Sequence, residues 1–123
     1  MNGSRDEDLK ARTNKFARDI IQLCSRLPKE TVYEIFSREI LESSGSIGKN
    51  LRASIRVKST AEFIARLKLV QEGADEIVYY LELLLELVPN QKELIEVLQK
   101  EAHELVGVFS ASIKLAKKNA LII

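Results

Sequence analysis

The chain contains one histidine and one cysteine, which limits the chemistry its side chains could carry. His103 has Lys100 three residues before it rather than a glutamate, so it lacks the Glu-x-x-His pair from which helical bundles build di-metal sites. A lone imidazole needs partners for catalysis or ligation, and His103 reads as a solvent-facing or boundary residue. Cys24 falls on the same helix side as Ala17 and Ile21, with no histidine nearby in sequence to take its proton. It reads as a small buried core residue rather than a nucleophile. The scattered glycines form no P-loop, no Gly-x-Gly-x-x-Gly and no nucleophile elbow. No catalytic residue, cofactor or metal ligand is expected, and enzyme is the disfavoured class.

Two charged stripes remain. Glu72, Asp75, Glu76, Glu82 and Glu86 form an acidic stripe along one helix, several of them three or four apart on one face. Without histidine or an ordered loop they read as a solvated or salt-bridged face. Lys49, Arg52 and Arg56 share a face at spacings of three and four, and Arg38 joins them because eleven residues return to nearly the same angle. From residue 49 to 68, Lys49, Arg52, Arg56, Lys58, Arg66 and Lys68 are opposed only by Glu62. Such a stripe can track phosphates by releasing their counterions. Glu42 interrupts it and no aromatic residue interleaves to stack bases, so sequence-specific readout is not expected. Lys49, Arg52, Arg56 and Lys58 are the candidate nucleic-acid residues; salt bridges between subunits are the alternative. The net charge of +1 selects no partner, but residues 59–88 hold two bases against six acids.

Positioning these residues requires helices. Phe63, Leu67, Val70, Ala74, Ile77, Leu81, Leu84 and Val88 alternate four- and three-residue steps, which keeps one apolar seam on a partner helix. Leu9, Thr13, Phe16, Ile20, Leu23 and Leu27 do the same in a first helix, and Pro28 closes it. A second helix, starting near Thr31, carries Phe36, Ile40, Ser44, Ile47 and Leu51. Its Ser43-Ser44-Gly45-Ser46 centre with Gly48 is a poor helix former. The expectation is a bend or irregularity there, with small side chains admitting a neighbouring helix closely. Ser59 and Glu62 form a capping box for the third helix. Pro89 ends that helix, and Asn90 is expected to cap a fourth carrying Ile95, Leu98, Ala102, Leu105, Phe109, Ser112 and Ala116.

At 123 residues with two prolines, five glycines and 30% charged residues, the chain reads as one all-α domain spanning residues 1–123. Short joints make each helix double back, which predicts an antiparallel up-and-down four-helix bundle. One cysteine excludes an internal disulfide and fits a reducing cytoplasm. No apolar run approaches a membrane span, so no membrane association is expected. Val78, Tyr79, Tyr80, Leu83, Leu85 and Leu87 add apolar surface beyond the seam, as does the Ala120-Leu121-Ile122-Ile123 tail. Excess of this kind marks association. The predicted homo-oligomer interface includes Ile77, Tyr80, Leu84 and Leu87.

Ser46-Ile47-Gly48-Lys49-Asn50-Leu51, then Ser59-Thr60-Ala61-Glu62-Phe63, then Gly73 with Glu76, give residues 43–77 a family resemblance. They resemble the bacterial four-helix bundle family that includes proteins encoded in 23S rRNA intervening sequences and accessory variability proteins of diversity-generating retroelements. The resemblance implies a ring-like homopentamer and, through the retroelement members, a reverse transcriptase and RNA or DNA as partners. This chain departs from the pattern with Gly48 in place of proline, Ala53-Ser54 in place of an acidic-glycine pair, and Glu72 in place of glycine. Leu41 and Glu42 stand where the family has arginines.

Overall fold

Each predicted apolar seam lies on the inner face of one helix. A computed structural model describes residues 3–122, with side chains through Ala120. Its helices are α1 (Gly3–Ser25), α2 (Thr31–Arg56), α3 (Thr60–Leu87) and α4 (Lys92–Ile122), with a 3-10 turn at Pro89–Gln91. At 1.5 Å per residue they are about 35 to 46 Å long. The joints are too short for any helix to continue in the direction of the one before. Arg26, just after α1, therefore lies beside Pro89 and Lys92, while Arg5 lies at the other end with Lys58 and Asn119. This is the antiparallel up-and-down bundle that the spacing predicts.

The core runs the length of the molecule. Phe16, Ile20 and Leu23 of α1 meet Ile40, Ile47 and Leu51 of α2, Val70, Ile77, Leu81 and Leu84 of α3, and Ile95, Leu98, Leu105 and Phe109 of α4 in one buried cluster. Each large apolar side chain taken out of water contributes about 1.5–3 kcal/mol. Two buried hydroxyls are satisfied within their own helix, Thr13 Oγ1 donating to the Leu9 carbonyl at 2.9 Å and Ser54 Oγ to Leu51 at 2.6 Å, while Ser43 Oγ donates across to Glu76 of α3 at 2.7 Å. α3 packs extensively on both α2 and α4, whereas α1 meets α4 only sparsely. A charged clamp crosses that thin side. Arg12 Nε donates to Glu101 at 3.0 Å and its Nη2 to Glu104 at 2.9 Å. These carboxylates raise the Arg12 pKa, with the Glu101 hydrogen bond the largest cause.

Several local expectations change. The Ser43 to Gly48 stretch is unbroken α-helix, because Ser43, Ser44 and Ile47 are buried and tertiary packing outweighs weak propensity. The close approach falls elsewhere. A Cβ on Gly73 would lie 3.0 Å from both Ile47 Cγ1 and the Ser43 carbonyl, whereas one on Gly45 or Gly48 would meet nothing within 4 Å. Ser43 thus admits α3, as its small size suggested, but the glycine that permits the contact belongs to α3.

Ser59 caps α3 as expected, its hydroxyl accepting from the Glu62 amide at 3.1 Å. Asn90 does not cap α4, because the chain turns through the 3-10 segment and α4 begins at Lys92. Ile77 and Leu84 are 0% exposed inside the bundle. They hold this chain together and are unavailable to a second copy, a correction of their assignment to an oligomer interface. Tyr80 is half-buried against Phe36, with ring centroids 5.6 Å apart, and Leu87 remains exposed. Of the apolar tail, Ala120 is exposed and the side chains of Leu121, Ile122 and Ile123 lie outside the described residues.

Candidate nucleic-acid interface

The outer face of α2 carries the basic stripe. Its buried residues Ile40, Ser44, Ile47, Leu51 and Ser54 fix one side of the helix inward, so the opposite side must project Arg38, Lys49, Arg52 and Arg56 outward. All four are exposed. From Arg38 to Arg56 the stripe spans about 27 Å at 1.5 Å per residue. Among the described residues, Arg38, Lys49, Arg52, Arg56 and Lys58 form no ion pair, in contrast to Lys10, Arg12 and Lys15, which do. The cations are therefore not neutralised by the fold. Neighbouring bases repel one another modestly, and that repulsion is relieved when an anion settles over them.

Lys58 sits differently from the others. Val57 leaves the helix in extended conformation, with φ −74° and ψ 154°, so Lys58 lies in the α2–α3 joint rather than on the stripe. There it lines a cleft with Arg5, Ser59, Thr60 and Asn119. Arg5 is a base that sequence reading passed over, since only the return of α1 to that end of the bundle brings residues 5 and 58 together. Gly45 adds to the stripe in another way. It is exposed, with open space where a side chain would stand, so an elongated ligand could approach the helix backbone between Arg38 and Lys49.

The remaining polar and nucleophilic groups sit apart from this face or at its margin. Cys24 is half-buried in the groove between α1 and α2, at the core's edge rather than fully inside it as expected. Burial pushes its thiol pKa up, against a hydrogen bond with Ser37 that lowers it. The thiol thus stays protonated and weakly nucleophilic. His103 is exposed on α4. Glu72, Asp75, Glu76, Glu82 and Glu86 are all exposed, and among the described residues no three acidic, histidine or cysteine side chains are placed to hold a metal ion. No helix is long and apolar enough to cross a membrane.

Compared with known proteins, residues 5–111 match the family model described as 23S rRNA-intervening sequence protein. Among solved structures, the chain is similar to a protein of unknown function from the S23 ribosomal protein family of Bacteroides thetaiotaomicron. The two share 31% identity and a TM-score of 0.78 over 86% of this chain and 98% of the other. No curated protein matches it.

Proposed function

Because the chain belongs to the 23S rRNA-intervening sequence protein family, we propose that it is a non-catalytic, oligomeric accessory or scaffold protein that binds nucleic acid through the outer face of α2. The observation that carries this reading is the set of exposed cations, Arg38, Lys49, Arg52 and Arg56, left without ion-pair partners on one helix face. Their fit is to a phosphate backbone, whose neutralisation releases counterions whatever the base sequence. A single subunit offers few contacts. A homo-oligomer, pentameric on the family resemblance, would present several stripes to one polynucleotide and multiply a weak affinity. The retroelement resemblance adds a reverse transcriptase as a protein partner, and the cytoplasm is the proposed compartment.

A protein-only interaction module is the second reading, favoured by Leu41, which is exposed beside Arg38 and Lys49, and by Glu42 within the stripe. The two readings part on an immobilised RNA column near 50 mM salt, where electrostatic binding is strong. The nucleic-acid reading expects retention of the parent and early elution of the Arg52→Gln, Arg56→Gln double variant. Flow-through of the parent, or equal retention of both, supports the protein-only module. Light scattering of the parent should return a mass well above the 13.9 kDa of one chain. A monomer mass at micromolar concentration contradicts the oligomer.

A further inference from the structure

The groove between α2 and α3 borders the basic stripe at Glu42 and, among its lining residues, carries the opposite charge. Towards the start of α2 and the close of α3, Phe36 and Tyr80 close the groove across the two helices, with Tyr79 beside Tyr80. Val32 and Ile35 are exposed on the first turns of α2 and Leu87 on the last turn of α3, at the same end of the bundle. Tyr79 is 56% exposed and Leu87 49%. The Phe36 ring joins the two helices through Tyr80, and Tyr80 meets Tyr79 edge to face at 5.3 Å. Further along, Glu39, Glu42, Glu72 and Glu76 line the same groove around Ser43 and Gly73, with no lysine or arginine among the lining residues. The acidic and aromatic parts are in electrostatic contact. The Tyr80 pKa is raised by desolvation first, then by Glu39, Tyr79 and Glu76.

An apolar strip that runs into four carboxylates has a definite complement. Flexible aliphatic anchors would fill the aromatic end, and cations on the same helix would reach the glutamates. From Val32 to Ser46 the groove extends about 21 Å at 1.5 Å per residue, which matches about four helical turns. Nucleic acid is repelled by this charge. We propose that the α2–α3 groove is a docking site for a basic amphipathic α-helix of a partner protein, its leucine-like anchors on Tyr79, Tyr80 and Leu87 and its lysines or arginines on Glu39, Glu42 and Glu72. This goes beyond the phosphate-binding role of the α2 outer face, which uses other residues.

The chain has three tyrosines and no tryptophan, and two of those tyrosines lie on this strip, so tyrosine fluorescence reports its occupancy. The probes are a 14-residue synthetic helix of leucine and lysine, with leucines at positions i, i+3, i+4 and i+7, and its leucine–glutamate counterpart. The lysine peptide should shift tyrosine emission saturably, and the glutamate peptide should not. Leu87→Asp should weaken the lysine peptide at least tenfold, as should Glu39→Gln combined with Glu42→Gln and Glu72→Gln. Circular dichroism of both variants should match the parent, since the altered side chains are exposed or partly so. Equal binding by parent and both variants overturns the proposal, as does equal binding of the two peptides. A parent that ignores the lysine peptide, and whose assembly mass falls on Leu87→Asp, shows instead that a second copy covers the groove.

Discussion

At the scale of single residues, Cys24 shows how burial limits chemistry. It sits half-buried beside Ser37, and desolvation raises its thiol pKa. Iodoacetamide at pH 8 should therefore alkylate the folded protein at least tenfold more slowly than the urea-unfolded chain, because less thiolate forms and less of it is reachable. Equal rates in the two states would place the thiol in open solvent. The sign for stability follows from the same shift. The folded state holds the Cys24 proton more tightly than the unfolded chain does, so its contribution is present below the ordinary thiol pKa. It is lost as pH rises through the folded value. Spacing in the sequence located Cys24 on the inner side of α1 but not its depth, since a helix wheel gives an angle and no measure of how closely the neighbouring helix covers it.

Among the elements, the α2–α3 crossing is the most sharply constrained. Replacing Gly73 by Ala removes a helix-propensity penalty of about 1 kcal/mol. It also drives a methyl group to 3.0 Å from the Ser43 carbonyl and from Ile47, where overpacking costs about 1–3 kcal/mol. Because one obstacle is backbone, we expect Gly73→Ala to lower the denaturation midpoint. Gly45→Ala meets nothing and should raise stability by up to about 1 kcal/mol. Equal gains from both would show that α2 and α3 are further apart than described. Gly73 and the serine-rich centre of α2 also mark the limit of what could be read in the sequence. Four seams were legible because apolar residues repeat at three and four, and burial of a whole stripe dominates helix position. The expected irregularity in α2 came from local propensity, which packing of Ser43, Ser44 and Ile47 outweighs. The misplaced Asn90 cap came from a motif that fits a helix start, where Pro89 favours an intervening tight turn.

For the whole molecule, the seam is what makes the bundle cooperative. Leu81→Asp puts a carboxylate where the side chain is fully buried, at a cost of several kcal/mol. Loss of helicity or a large drop in Tm should result, while Glu82→Gln, one residue on and exposed, should be nearly silent. An unchanged melting curve for Leu81→Asp would contradict the core assignment. The assignment of Ile77 and Leu84 to an intersubunit contact failed for a physical reason: a heptad stripe demands a partner helix but does not say whether that helix belongs to the same chain. The basic stripe was legible as an angle on α2. That its cations lack ion-pair partners depends on what α1, α3 and α4 bring near them, which no local pattern encodes. The salt dependence of polynucleotide affinity tests the proposed function most directly, followed by fluorescence anisotropy with a labelled single-stranded RNA between about 50 and 200 mM salt, a range over which phosphate-dominated binding weakens steeply. The parent should show a steep log–log slope. Arg52→Gln with Arg56→Gln should bind more weakly by a similar factor on RNAs of different sequence and flatten the slope by roughly 1.4 per engaged subunit. A parent slope near zero, or a double variant with the parent's affinity and slope, would contradict a nucleic-acid role for the outer face of α2.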